Sequence, residues 1–432
     1  MTKSTVEEHE ARGATSKVFQ DLTNAPTPPL PDAAQEEWWL DAGSLLSRLL
    51  QVGQYTLKQQ EEHLLFFRQH FLPYFGPYPP RWNSVLTRSG LPLEYSLNFQ
   101  QSRDPVVRIS FEPVSHFAGT SADPFNKRPS EEMVDRVAKM RLRNFDRTLF
   151  DHFATETFIT DNEVERIPNL DSYPVKTHTA LAFDLNGDDI CVKGYVHVRW
   201  KSMSSKTPIR DLIQTTFAKV KVKMNCAAAV DLVDAYMAET SSYNQYNFLA
   251  WDLTPLHQSR LKLYGAHNEV SLCKIEEVWT LGGRLTDQIA TEGLGLIYRL
   301  WELLGLDSTT RQYGNGYDDY MNQGVDDRLS PLIWNYEMRA GSTRPSPKIY
   351  FPVHGENDLK VATAVSHFLA SLGPKSEGAN YVKCLASLYP HLDISMTSRL
   401  QAWISYSYTE KGVYMSVYYH STSSYPLPSC AH

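Results

Sequence analysis

Five times along the chain a stretch of helical periodicity gives way to two short alternating runs joined by a short connection. No other feature restricts the possible folds so much. The first pairs are LPLEYSLNF (91–99) with DPVVRISFEPV (104–114), VKTHTALAFDL (175–185) with DICVKGYVHVRW (189–200), and NFLAWDL (247–253) with SRLKLYGAH (259–267). PLIWNYEM (331–338) with PKIYFPVHG (347–355) and LQAWISYSY (400–408) with GVYMSVYYHS (412–421) complete the set. Alternation of apolar and polar residues is the period of a strand with one buried face. Asn186-Gly187-Asp188 marks one joint as a hairpin turn.

Helical spacing fills residues 36–76, 130–158, 208–239, 276–306, and 357–373 with 379–392. The second block is opened by a cap signal at Ser130 and the glutamates behind it. Strands joined by short turns are antiparallel neighbours. With every helix pair on one side, ten such strands most simply close into a barrel ringed by about ten helices, which also removes the sheet edges. The expected class is therefore α+β: five ααββ units forming a single domain over 35–432. The same pattern also allows two separate α+β domains. Residues 1–34, which run into NAPTPPLPDAAQ, are expected to be a flexible N-terminal tail.

The formal net charge of −7 over 432 residues argues against a general binder of nucleic acid or anionic membranes. It leaves room for a local cationic pocket. No apolar run is long enough to span a membrane as a helix, and the first twenty residues lack the apolar core of a secretory signal. Cys191, Cys226, Cys273, Cys384 and Cys430 are scattered, never spaced as CxxC, which fits a reducing cytosol. A cytoplasmic protein is expected, either monomer or homodimer.

The polar faces of the strands are the informative ones. Val107, Ile109 and Phe111 leave Arg108 and Ser110 opposite, and Val192, Val196 and Val198 leave Lys193, Tyr195 and His197. Leu261 and Leu263 leave Arg260, Lys262 and Tyr264; Ile349, Phe351 and Val353 leave Lys348, Tyr350 and His354. In the last strand Val413, Met415 and Val417 leave Tyr414, Ser416 and Tyr418. In the first, Leu93, Tyr95, Leu97 and Phe99 leave Glu94, Ser96 and Asn98. If helices cover the apolar faces, these cations and tyrosines converge on one lumen, with Glu94 the one acid among them. Uncompensated cations buried together are very costly, so a polyanionic ligand is expected there.

Several cations around a diphosphate make it a better leaving group, each pair about 4 Å apart contributing roughly 4 kcal/mol at an effective dielectric near 20. Tyrosine faces beside them suit an allyl cation, at about 0.5–2 kcal/mol per ring, and screen it from water. Together these describe prenyl transfer. The Asp pairs at 188–189, 318–319 and 326–327 lack the DDxxD spacing of magnesium-dependent prenyl enzymes and sit in turn-like surroundings. No metal site and no cofactor are expected.

GLPLEYSLNF, VVRIS, DPFN, CVKGY, SRLKLY, VWTLGG, KIYFPVHGEN and WISYSYTEKGVYMSVYYHS, in that order, resemble the fungal aromatic (indole) prenyltransferases of the dimethylallyltryptophan synthase type. The resemblance covers about residues 36–420 and implies the ABBA barrel, ten antiparallel strands inside ten helices. It implies that Arg108, Lys193, Arg260 and Lys262, with Lys348, bind the diphosphate of dimethylallyl diphosphate. Tyr195, Tyr264, Tyr350, Tyr414 and Tyr418 would shield the allyl cation and contact phosphate, while Leu93 and Trp403 line the arene pocket. Glu94 stands in the position of the glutamate that accepts a hydrogen bond from the indole N–H.

Three departures narrow the substrate. Lys348 replaces a glutamine seen in several members, Ala180 replaces a lysine of enzymes alkylating tryptophan at C-4, and no arginine occurs between Arg210 and Arg260 to grip a free carboxylate. The resemblance then implies transfer to a tryptophan-containing cyclic dipeptide. Free tryptophan, tyrosine or another arene is the alternative within enzymes, and a non-catalytic barrel for an anionic metabolite the alternative outside them.

Overall fold

The computed structural model describes residues 16–25, 30–101, 103–306, 330–373 and 380–422. Ten strands form one closed antiparallel barrel: β1 (Leu93–Gln100), β2 (Arg103–Phe111), β3 (Thr179–Asn186), β4 (Asp189–Val196), β5 (Gln245–Asp252), β6 (Arg260–His267), β7 (Leu332–Arg339), β8 (Ser346–Pro352), β9 (Gln401–Thr409) and β10 (Gly412–Tyr419). Each strand pairs with its neighbours in sequence, and β1 closes on β10. The single barrel is the arrangement expected from the strand pairs, and the two-domain alternative does not occur.

Outward residues of the strands are buried under helices. Leu93, Tyr95, Leu97, Val107 and Ile109 are all fully buried in the main hydrophobic core. Phe71, just past the helix Leu57–His70, sits 4.9 Å from the ring centroids of both Phe111 and Phe183. Phe153 of the helix Thr148–Thr157 stacks on Trp251 of β5 at 4.3 Å. Burying each such side chain contributes about 1.5–3 kcal/mol, so the shell of helices holds the barrel closed.

Two glycines show how tightly that shell fits. Gly194 lies opposite Trp251 and Gly265 opposite Trp334, and each indole leans over its glycine. A Cβ on Gly265 would stand 2.5 Å from Trp334 Cζ2. Gly265→Ala is therefore expected to destabilise the protein by about 1–3 kcal/mol through overpacking, read as a lower urea midpoint at unchanged slope.

Two expectations are corrected. Residues 17–24, placed in the tail, form the helix Lys17–Asn24, capped by Ser16, whose Oγ accepts from Phe19 N. Phe19 stacks on Trp39 at 4.7 Å and Leu22 is buried beside it, so this short amphipathic turn belongs to the core. Its polar flanks hide it in the sequence; residues 1–15 and 26–29 lie outside the described residues. The helix expected to open at Ser130 instead spans Arg128–Lys139. Pro129, which needs no N–H in a first turn, sets that start, and Ser130 is buried with its Oγ accepting from Thr179 Oγ1 at 2.7 Å.

Asp188 accepts from Gln59 Nε2 at 3.0 Å and Asp189 pairs with Arg143 at 3.2 Å, both at the β3–β4 turn. Asp318, Asp319, Asp326, Asp327 and Cys430 lie outside the described residues. Among the described residues no group of three or more His, Cys, Asp or Glu is arranged to hold a metal ion, and no helix is long and apolar enough to cross a membrane.

Candidate active site

Because side chains alternate along a strand, the barrel's register decides which inward residues become neighbours. Glu94 faces Ser110, Arg108 faces Asp184, Lys193 faces Asp252, Lys262 faces Glu337 and Lys348 faces Asn335. Tyr418 lies between Ser96 and Trp403. The lumen divides into two chambers.

The first is a cavity of about 850 Å³ with a mostly apolar and aromatic wall. Glu94, Tyr195, Tyr264, Tyr350, Trp403 and Tyr418 all line it, as does Arg108 at its floor. The tyrosines form a continuous band: Tyr264 Oη lies 3.3 Å from Tyr350 Oη, and ring centroids stand 6.0 Å apart for Tyr264–Tyr350 and 5.9 Å for Tyr350–Tyr418. Phe248, which the sequence reading did not single out, stacks on Tyr264 at 3.9 Å and joins that wall. Val85 and Leu86 close it from a loop before β1.

That loop is held by a buried carboxylate. Glu112, just past β2, accepts from Trp82 Nε1 and Thr177 Oγ1 at 2.8 Å each, from Ser84 Oγ, and from Asn126 Nδ2 at 3.4 Å. Thr177 Oγ1 in turn accepts from Val85 N at 2.9 Å. Burial lifts the Glu112 carboxyl to about 7, against the pull of these donors.

Leu93 is a correction. It points outward into the core, fully buried beneath the helices, because it precedes Glu94 by one residue and so takes the other face. Tyr414 is placed with the cations rather than in the aromatic band: it lines the second chamber, accepts from Arg108 Nη2 at 3.2 Å, and lies 4.2 Å below the Lys348 ammonium.

The second chamber, about 800 Å³, contains Arg260, Lys348 and Tyr414 together with Asn335 and Glu337. Here the expectation of uncompensated cations fails. Asp184 accepts from Arg108 Nε at 2.5 Å and pairs with Lys193. Arg260 pairs with Asp252 at 2.5 Å and with Glu337 at 3.3 Å, and Lys262 lies 3.9 Å from Glu337. Glu94 is thus one of four lumenal acids. The cations Arg108, Lys193, Arg260, Lys262 and Lys348 outnumber their partners Asp184, Asp252 and Glu337, and the pairing spares the lumen the cost of bare charges. Despite their burial, Asp184, Asp252 and Glu337 are all held below the usual carboxylate range by the adjacent cations.

Burial presses the Lys262 ammonium down to about 7, with Arg260 adding to the effect, and Lys348 lies well below its ordinary value through burial and repulsion from Lys262 and Arg108. A diphosphate favours the protonated amines. Its affinity is therefore expected to fall as pH rises through the free-enzyme value of Lys262, about 7, and to level off above the value in the complex. Titration calorimetry at pH 8 in buffers of different ionisation enthalpy is expected to show proton uptake on binding.

Burial also raises the Glu94 carboxyl well above its ordinary value, partly offset by Arg108. The site thus sets an apolar, aromatic room with one basic acceptor against a positively charged room behind it. That geometry suits departure of a charged leaving group on one side and attack by a neutral arene on the other.

The family model described as tryptophan dimethylallyltransferase matches residues 34–384. Deoxybrevianamide E synthase notF from Aspergillus sp. (strain MF297-2) is 45% identical over 91% of this chain and 89% of its own. Echinulin prenyltransferase 1 from Aspergillus ruber is 41% identical over 92% of this chain and 96% of its own. The crystal structure of NotF in complex with brevianamide F and DMSPP superimposes with a TM-score of 0.84 at 43% identity, covering 94% of this chain and 99% of that one. The chain belongs to the tryptophan dimethylallyltransferase family of aromatic prenyltransferases.

Proposed function

We propose that the protein transfers the dimethylallyl group of dimethylallyl diphosphate to the indole ring of a tryptophan-containing cyclic dipeptide. The C–O bond of the allyl diphosphate breaks, its electron pair leaves with pyrophosphate, and an indole carbon attacks the allyl cation. The ring then loses a proton from the attacked carbon and regains aromaticity. In this reading Arg108, Lys193, Arg260, Lys262 and Lys348 receive the diphosphate, and Tyr195, Tyr264, Tyr350 and Tyr418 face the allyl cation. Glu94 accepts the indole N–H and helps take up the proton. The cations supply the charge that a metal ion supplies elsewhere, so the reaction is proposed to run without one, in the cytosol.

The observation that carries the substrate class is the charge of the first chamber. Among the described lining residues Arg108 is the only lysine or arginine, and it is engaged by Asp184 and Tyr414. His197 is kept neutral by burial, down to about 4. Ala180 lines the same wall, and Arg210 is turned away to Asp234 at 2.9 Å. A free amino acid would bring a carboxylate with no cation to meet it; a cyclic dipeptide brings none.

The test is incubation with dimethylallyl diphosphate in EDTA, offering cyclo-(Trp-Pro), tryptophan and tyrosine in parallel, with product mass as readout. A five-carbon adduct on the cyclic dipeptide is expected. An adduct on tryptophan alone would overturn the substrate class, and binding without turnover on any arene would favour a carrier.

A further inference from the structure

The two ends of the barrel are unlike. The turns after Gln100, Asn186, Asp252, Arg339 and Thr409 gather at one end, and the second chamber opens toward it. Its rim is Arg103 of β2, Arg339 of β7 and Lys411 of the β9–β10 turn, all exposed. Farther in lie Arg260 and Lys348, already assigned to the diphosphate, and Glu337 is the only acid among the described lining residues. Asp104 and Glu410 adjoin Arg103 and Lys411 in sequence but do not line the chamber. The opposite end presents Glu94 and the apolar side chains of Val85, Leu86 and Ile333.

A multiply charged diphosphate approaching from that apolar end would lose hydration against hydrocarbon and pass Glu94. From the hairpin end it meets Arg103, Lys411, Arg260 and Lys348, with Arg339 paired to Glu337 at 2.6 Å, on a protein whose overall charge of −7 otherwise repels anions. We propose that Arg103, Arg339 and Lys411 form an outer anion site. It captures the allyl diphosphate, hands it inward to Arg260 and Lys348, and is the way out for pyrophosphate, while the arene uses the other end. The inference rests on the reading that a diphosphate occupies the lumen. Its consequence is that the two substrates do not block one another: either binds first, and pyrophosphate leaves past the rim with the prenylated arene still seated.

The test measures association of inorganic pyrophosphate by stopped-flow tryptophan fluorescence, alongside turnover. Arg103→Glu with Lys411→Glu is expected to slow association about tenfold and to flatten its ionic-strength dependence. kcat/KM for dimethylallyl diphosphate should fall in parallel, with kcat/KM for the arene unchanged. Lys383→Glu, on the exposed side of the helix Tyr381–Leu388, is the control for bulk charge and should leave association as it was. The neutral pair Arg103→Gln with Lys411→Gln, expected to give a smaller effect in the same direction, serves if charge reversal impairs folding. Unchanged association, an equal loss in the Lys383 control, or an equal loss for the arene would each overturn the proposal. A wild-type protein that binds pyrophosphate but never turns over would sink the transferase reading alone, since the pyrophosphate measurements still test the rim.

Discussion

Replacing Glu94 with glutamine is expected to lower kcat by about 10²–10³-fold while leaving the affinity for dimethylallyl diphosphate within about threefold. Glutamine keeps the shape and an acceptor oxygen but removes the charge and the basicity. Indole nitrogen becomes cationic as a ring carbon attacks, so a carboxylate at its N–H is worth more in the transition state than before it. The diphosphate residues lie on other strands, which is why binding of the donor should survive. The pH profile supplies a second readout. Since burial raises the Glu94 carboxyl, wild-type kcat/KM for the arene should climb with pH through a value above the ordinary carboxylate range. That limb should vanish in the variant, while kcat/KM for dimethylallyl diphosphate keeps the fall above about pH 7 that comes from Lys262 in the free enzyme. A variant that retains wild-type kcat would remove Glu94 from the chemistry.

The barrel was legible because its strands are short, alternating and paired by tight turns, and such local signals survive without knowledge of partners. Glu94, Arg108, Lys193 and Lys262 were legible for the same reason: each sits within a strand between uncharged neighbours. The lumenal acids were not. Asp184 and Asp252 come near the ends of β3 and β5, behind alanines at 182 and 250, where an acid reads as the start of a turn. Only the register, Arg108 against Asp184 and Lys193 against Asp252, shows that they face cations, and register is a property of the closed sheet. Val85 and Leu86 were hidden because a loop without periodicity carries them, positioned by Glu112 through contacts made by side chains distant in sequence. Leu93 was misplaced by nearness to Glu94, although the alternation already put it on the other face.

The paired acids also change what the cations do. Arg108, Lys193 and Arg260 are fixed by Asp184 and Asp252, so on the proposed reading they are already oriented for a diphosphate. Lys262 and Lys348, with weaker acidic partnership and depressed basicity, are the adjustable part, taking up protons as negative charge enters. On that reading the fixed cations give geometry, and Lys262 and Lys348 match the charge.

Arg108→Leu separates these roles and is expected to have the largest effect of all. Its guanidinium grips Asp184 at 2.5 Å and 3.3 Å and reaches Tyr414 at 3.2 Å, joining the aromatic chamber to the cationic one. Losing one cation worth about 4 kcal/mol at an effective dielectric near 20 predicts a fall of about 10³-fold in kcat/KM for dimethylallyl diphosphate. Part of that loss comes from the carboxylate left behind, because Asp184 would then neutralise Lys193 and repel the diphosphate. Adding Asp184→Asn removes that opposition. The double variant should therefore recover about tenfold over Arg108→Leu alone, about 1.4 kcal/mol, and the coupling is that recovery plus the cost of Asp184→Asn by itself. Steady-state kinetics of the four proteins in the cycle measure it. If Asp184→Asn lowers activity further in the Arg108→Leu background, the carboxylate serves packing rather than charge balance, and the electrostatic account of the lumen fails at its centre.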